Sequence, residues 1–377
     1  MRVLVAAWVG STNLGDELVF AGTRQLLAER GVEVCAVSVD PPGTRADHGV
    51  GAVSHRAPSA LLTAASGADA MIFGGGGLLQ DDSSIANLPY HLSRVGLARA
   101  FGVPFIGLGL GVGGLRTTSG RRLVEHAMRA AIGITVRDVE SGRLLAEVGV
   151  PDAELTADLA FALEAPSVPP TAGTTERPNG LAAGASETGP AHGRLVVCLR
   201  PWSGVTKRLP AATRDDATPE PHVVALARSL DEASVAMDSR VRFVALQRDR
   251  DDALHRRVGA RMTMPAEFRT PTTAELLGEF VGARAVVSMR YHGAVAATLA
   301  GVPSVLISYA GKVDALAREL GSGARCLAWD PTALATIPAA LAAVAPEHEA
   351  VVAARGRLRE RQLGNARLLD RLLEVAA

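Results

Sequence analysis

A chain of 377 residues is longer than one compact core needs, and length points to two domains. Its 39 lysines and arginines balance its 39 aspartates and glutamates, so formal net charge is zero and no general basic field exists to gather nucleic acid. Hydrophobic residues form 48% of a chain of ordinary charge content, which excludes disorder, and the widely spaced Cys35, Cys198 and Cys326 read as reduced core residues rather than disulfides or metal ligands.

Along the first part, β-branched runs alternate with helical patterns. Strands are expected at VLVAAWV, VEVCAVSV, ADAMIFGG, VPFIGLGL and IGITVRD, and a helix at DELVFAGTRQLLAERG, closed by a glycine placed as a C′ cap. Such alternation predicts a parallel, doubly wound sheet. From about Glu164 to His192 the chain is rich in Pro, Gly, Thr and Ser and reads as a linker or surface insertion. The alternation then restarts with RLVVCLR, VRFVALQ, ARAVVSM, VPSVLIS and ARCLAW.

The final stretch places Leu358, Leu363, Leu369 and Leu373 on one helical stripe, with arginines forming a solvated basic face. Contact of that face with a membrane surface is the less favoured use of it. The expected fold class is α/β, two Rossmann-like doubly wound lobes with a cleft between them. The divisions are 1–165, a linker 166–193, a second lobe 194–345 and a C-terminal helix 346–377. No run approaches the roughly 20 apolar residues of a membrane span, and MRVLVAAW is too short for a signal peptide. A cytoplasmic protein is expected.

Ligands of open α/β sheets bind beyond the carboxyl ends of the strands, and chemistry-bearing residues stand there. The first strand ends in GSTNLGDE, where Asn13 and Asp16 open a helix that either meets an anion or is simply capped. The stretch FGGGGLLQDDSS offers Gly75 and Gly76 as a close backbone approach and Gln80 and Asp81 as polar groups nearest a site; Asp82 and Ser83 suit a helix cap. FIGLGLGVGGL satisfies GxGxxG through Gly109, Gly111 and Gly114, but not at the first strand–helix turn, so a dinucleotide site is disfavoured.

Arg137 in TVRDVES is either an anion contact or a surface arginine, with Asp138 or Ser141 capping the following helix. Arg200 ends the strand of VVCLRPW, and its planar fork suits carboxylate or phosphate. Gln247 in FVALQRDRDD points inward, and the charges after it read as solvated. ARAVVSM places Arg290, Tyr291 and His292 at one strand's carboxyl end, and Lys312 follows the next strand. Two cations and an imidazole on one spot predict an anion site.

These motifs, in this order, resemble the polysaccharide pyruvyl transferase family over almost the whole chain. The resemblance implies a fold like that of GT-B glycosyltransferases, with the acceptor on the first lobe and phosphoenolpyruvate on the second. It implies transfer of pyruvate from phosphoenolpyruvate onto two hydroxyls of a sugar as a ketal, with release of phosphate, in cell-surface glycan or exopolysaccharide synthesis. Arg290 and His292 match the family's Arg-x-His pair, and Lys312 its final cleft lysine. The family's Asp-Pro before that lysine is replaced here by Ala310-Gly311.

The resemblance implies phosphoenolpyruvate as a co-substrate and calls for no other cofactor or metal. It implies as partner a free, nucleotide-linked or lipid-linked saccharide, and a homo-oligomer is compatible with it. His292 is expected to protonate the vinyl carbon or the departing phosphate. Competing readings are a nucleotide-sugar glycosyltransferase of the same architecture and a non-catalytic sugar- or anion-binding protein.

Overall fold

The computed structural model describes residues 1–81, 84–166, 193–203 and 218–377. The apolar run near the N-terminus becomes β1 (Arg2–Val9), which lies inside a parallel sheet because both of its faces are covered by helices. The sheet adds β2 (Glu33–Ser38), β3 (Gly51–Ser54), β4 (Ala70–Leu79), β5 (Phe105–Val112), β6 (Ile134–Val136) and β7 (Glu154–Leu155), in the order β3-β2-β1-β4-β5-β6-β7. Its helices are α1 (Leu14–Ala28), α2 (Pro41–His48), α3 (Pro58–Ser66), α4 (Asn87–Ala100), α5 (Thr118–Met128) and α6 (Val139–Glu147).

The second lobe repeats the plan. β8 (Arg194–Cys198), β9 (Arg240–Val244), β10 (Ala266–Arg269), β11 (Ala285–Ser288), β12 (Ser304–Ser308) and β13 (Ala324–Ala328) pair in parallel in the order β10-β9-β8-β11-β12-β13. Around them lie α7 (Glu220–Ala236), α8 (Arg248–Gly259), α9 (Tyr291–Leu299), α10 (Gly311–Leu320), α11 (Pro331–Leu334) and α12 (Ile337–Val344). In each sheet the order reverses beside the first strand, and that switch opens a crevice at the strands' carboxyl ends.

The two crevices face each other and touch. The Leu14 amide donates to the Leu246 carbonyl at 2.7 Å, Asn13 bridges to Gln247, and the Thr12 hydroxyl donates to Asp249 at 2.6 Å. Leu18, Ala157 and Phe161 of the first lobe share one buried cluster with Val286, Tyr291 and Val295 of the second.

The last helix, α13 (His348–Ala376), joins the lobes a second time. Ala354 and Leu358 lie in the interlobe cluster, whereas Leu368, Leu369 and Leu372 are buried against the first sheet. Midway, the fully buried Asn365 accepts from the hydroxyls of Thr135 (2.6 Å) and Thr156 (2.9 Å) and donates to the Ala157 carbonyl (3.0 Å). The expected solvated basic face is formed by Arg357, Arg367 and Arg371, which are exposed, but three other arginines of the helix are partly buried against the lobes. Arg355 donates to the Leu299 carbonyl, Arg359 to that of Leu163 and Arg361 to that of Thr156, with Glu319 as a second partner. The expected leucine stripe is also corrected. Leu363 is exposed, because it stands five positions from Leu358 and so falls off the face that carries 358, 362, 365, 369 and 372.

Three strands were not expected. β3, β7 and β10 lie at or beside sheet edges, carry residues exposed to solvent, and so lack apolar runs. The glycine-rich strand is therefore the fourth, not the third. The GxGxxG strand is the fifth, and its glycines lie within or just past a strand, far from a dinucleotide turn. Cys35 and Cys198 are buried as expected, but Cys326 is exposed. Most of 166–193, together with Asp82 and Ser83, lies outside the described residues. Among the described residues, no single helix is long and apolar enough to cross a membrane.

Replacing Asn365 by Ala should cost about 2–4 kcal/mol of stability, since it strands buried hydroxyls and a carbonyl at about 1–3 kcal/mol each. Urea unfolding followed by circular dichroism measures this; an unchanged midpoint would show that the network carries no weight.

Candidate active site

The site is built from strand ends of both lobes: β1, β4 and β6 of the first, and β8, β11 and β12 of the second. After β1, Asn13 caps α1: its carbonyl oxygen accepts from the Gly15 amide at 3.2 Å, and its amide donates to Oδ2 of Asp16 at 2.5 Å. Gly15 is where the second lobe presses in. A Cβ there would lie 2.2 Å from Nδ1 of His292, so only glycine lets the imidazole rest on the helix start. Glu17, two positions further on, is paired with buried His48 at 2.9 Å.

From β4 the backbone of Gly77 forms the cleft wall, with buried Gly76 behind it. Gly76 has φ +90° and a Cβ on it would stand 3.3 Å from Oδ1 of Asp16, whereas one on Gly77 would meet nothing within 4 Å. Gly75, expected beside them, faces Val19 of α1 and serves helix packing. Gln80 lies further along the cleft. Asp81, expected there too, turns inward. Its carboxylate accepts from the amides of Arg116 (2.7 Å) and Thr117 (2.9 Å) and the Thr117 hydroxyl (2.6 Å), fixing the start of α5. Burial pushes its pKa up, yet these donors outweigh it and hold the carboxyl below its usual range.

After β6 comes Arg137, which is buried rather than a surface residue. It pairs with Asp158 at 3.1 Å and with Asp138 at 3.4 Å, and its guanidinium stacks 4.4 Å over the Tyr291 ring. Asp138 also caps α6 through the Ser141 amide, as expected. Asp158 was missed by the sequence reading. The same carboxylate lies 3.4 Å from Nε2 of His292, an electrostatic contact without hydrogen-bond alignment. Burial pushes the Asp158 pKa upward, but His292 and Arg137 more than reverse that, so it stays ionised well below the usual carboxylate range.

The second lobe supplies the cations. Arg290 caps α9 and makes a two-point ion pair with Asp251, which is wholly buried, while Gln247 accepts from the same guanidinium at 3.3 Å. The charges after Gln247 are therefore not all solvated, as Asp251 is the counter-ion of Arg290. Gln247 itself steadies that arginine and is not part of the cavity wall. The turn after β8 is held by His255, whose Nε2 accepts from the Leu199 amide at 3.0 Å. Burial lowers its pKa to about 4, so it is neutral and free to accept.

That turn delivers Arg200. Its guanidinium donates to the Tyr309 hydroxyl at 2.9 Å and lies 4.5 Å over the Tyr309 ring, while Lys312 sits 5.9 Å from the ring centre. Neither Arg200 nor Lys312 is in an ion pair among the described residues, and Nε of Arg200 has no acceptor. Tyr309 was also missed by the sequence reading. Burial pushes its phenol upward, but Lys312, Arg200 and Arg290 together bring it down to about 7.

Between the lobes these groups enclose a cavity of about 110 Å³, walled by Asn13, Asp16, Gly77 and Arg137 on one side. Arg200, Arg290, Tyr291, His292, Tyr309 and Lys312 form the other side. A larger compartment of about 670 Å³ opens beside it in the first lobe, where Trp8, His55, Tyr90, His91, Gln80 and Asn87 form the wall.

The family model described as polysaccharide pyruvyl transferase matches residues 13–311 of this chain. The chain belongs to the polysaccharide pyruvyl transferase family. Its two parallel sheets with helices form the two-lobed architecture of GT-B glycosyltransferases. No curated protein matches it in sequence at a significant level. Among solved structures it is similar to a Listeria monocytogenes protein described as a UDP-N-acetylglucosamine 2-epimerase (11% identity, TM-score 0.59, covering 93% of this chain and 90% of that one). It is similar also to Anabaena HepE in complex with UDP (13%, TM-score 0.56, 100% of both chains). A third is the glycosyltransferase SnogD from Streptomyces nogalater (16%, TM-score 0.52, 100% and 99%). At these identities the likeness is one of fold alone.

Two outcomes are expected of this pyruvyl transferase family site. Of the three tyrosines, Tyr90 and Tyr291 have raised pKa values, so near-UV titration should show one phenolate forming near pH 7 that is missing in Tyr309→Phe. An anion bound between Arg200 and Lys312 screens both cations and should move that step to higher pH. Asp251→Ala, which leaves Arg290 buried without its counter-ion, should lose about 3–5 kcal/mol. The double change Asp251→Leu with Arg290→Met should regain much of that in urea unfolding.

Proposed function

We propose that the protein transfers pyruvate from phosphoenolpyruvate onto two hydroxyls of one sugar, forming a ketal and releasing phosphate. The observation that carries this reading is a pair of cations that have no carboxylate partners among the described residues, Arg200 and Lys312, beside His292 in a cavity of about 110 Å³. Arg137 and Arg290 already have Asp158 and Asp251, so the site holds two positive charges in excess on that wall. Phosphoenolpyruvate brings a carboxylate and a phosphate that match them. The cavity is also small: pockets for drug-sized ligands run to roughly 300–1,000 Å³, and a nucleoside diphosphate sugar is of that size.

In this reading His292 delivers its proton to the vinyl carbon, and the Asp158 carboxylate offsets the charge of its imidazolium form. Arg290, fixed by Asp251 and Gln247, faces the developing charge, and Arg200 and Lys312 hold the phosphate as it leaves. The acceptor sugar lies in the 670 Å³ compartment, whose Trp8 and Tyr90 rings suit an apolar sugar face and whose Gln80 and Asn87 suit its hydroxyls. Whether that sugar arrives free or carried by a nucleotide or lipid is decided outside these walls.

Calorimetric titration of phosphoenolpyruvate into wild type, Arg200→Ala and Lys312→Ala tests the donor. Each lost charged contact is worth about 1.5–3 kcal/mol, so Kd should rise roughly 10- to 100-fold. A screen for phosphate release with saccharides of each carrier class then identifies the acceptor. No phosphoenolpyruvate binding, together with clear binding of a UDP-sugar, would replace this reading by glycosyl transfer.

A further inference from the structure

We propose that Asp16 is the base that takes the proton from the acceptor hydroxyl as it attacks. This deepens the pyruvyl-transfer reading and rests on it. The reacting hydroxyl belongs to a molecule in the larger compartment, and the carbon it attacks belongs to one in the smaller cavity. A group that takes its proton must stand where the two meet. Among the described residues, only Asp16 and Gly77 belong to the walls of both, and glycine has no side chain.

The carboxylate is also set correctly for the task. Its Oδ2 accepts from Asn13 at 2.5 Å, which fixes the rotamer. Its Oδ1 faces the bare backbone of Gly76 and has no protein donor among the described residues. The other acids around the cleft are occupied: Glu17 by His48 and the Ser11 amide, Asp158 by Arg137, Asp251 by Arg290, and Asp81 by the start of α5. Burial raises the Asp16 pKa and Glu17 on its own helix adds to that, while His292, Asn13 and Lys312 oppose it. The balance raises it from an aspartate's ordinary value, which makes Asp16 a stronger base than a surface aspartate.

The step balances. His292 gives its proton to C3 of phosphoenolpyruvate, the C2=C3 π pair forms the new C–H bond, and the sugar oxygen bonds to C2 while its proton passes to Oδ1 of Asp16. The second hydroxyl then bonds to C2 as the C2–O bond to phosphate breaks, and its proton leaves with the phosphate. The proton held on Asp16 returns the imidazole to its acid form, directly or through water. One hydroxyl proton thus replaces the one placed on carbon.

The test is Asp16→Asn, which keeps the shape and the contact to Asn13, compared with wild type and Asp16→Glu. Phosphate release is followed with phosphoenolpyruvate and methyl galactoside, methyl glucoside, methyl N-acetylmannosaminide and the carrier-linked acceptor from the screen above. General-base catalysis is worth about 100- to 10,000-fold, so Asp16→Asn should lose at least about 100-fold in kcat. Its Kd for phosphoenolpyruvate should stay within about threefold. Because the ionised carboxylate is the active form, the wild-type rate should fall as pH drops through the Asp16 pKa, a limb that Asp16→Asn should lack and that a structural role would leave in place. Asp16→Glu should recover part of the rate. Turnover by Asp16→Asn within about threefold of wild type, or an unchanged acid limb, overturns the assignment while leaving pyruvyl transfer intact. A wild type that releases no phosphate with any acceptor overturns both.

Discussion

One buried carboxylate holds the two halves of the site together. Asp158, just beyond the edge strand of the first sheet, pairs with Arg137 of its own lobe and faces His292 of the other. A buried anion survives only with compensation, and here the compensation comes from both sides of the cleft. Arg137 in turn covers Tyr291, the neighbour of His292, so the start of α9 is gripped from two directions. The fit of the imidazole over Gly15 depends on this grip, since displacement of His292 would break contact with Asp158 and with α1 together.

The charge pattern divides by burial and partnership. Arginines whose counter-ions belong to the protein, Arg137 and Arg290, shape the walls and keep their charge in a low-dielectric place. Cations without such partners, Arg200 and Lys312, stand on either side of the Tyr309 phenol. Neutral His255 beneath the Leu199 turn completes the scheme, because a charged imidazole could not accept from that amide. Ala310-Gly311 preceding Lys312 leads directly into α10, so the lysine occupies that helix's first turn and reaches the cavity.

The sheet plan was legible because strands covered on both faces must be apolar throughout, as in β1, β5 and β11. Edge strands such as β3 and β10 escaped because they are four residues long, none of them fully buried, and their letters resemble loop. Arg290, His292 and Lys312 were readable from their place after strands. Asp251 was not: within RDRDD nothing distinguishes the buried aspartate from its solvated neighbours except its helical phase, four residues after Gln247. Asp158 stands in TADLAF after a two-residue strand too short to announce a carboxyl end. Gly75 and Gly77 look alike in a run of four, and only the side to which each would send a Cβ separates packing from cleft. Arg355, Arg359 and Arg361 of α13 looked solvated because a sequence shows their charge but not the carbonyls they reach.

The return of α13 to the first lobe has a mechanical meaning. A pair of lobes joined by one strand of chain behaves as a ball joint and samples every direction. A second, helical crossing anchored at Asn365 on one lobe and at Leu358 on the interlobe core removes that freedom. To part the lobes, the chain would have to break the Asn365 network or strip Ala354 and Leu358 from the shared core, so the helix holds His292 against Gly15 from outside the cleft.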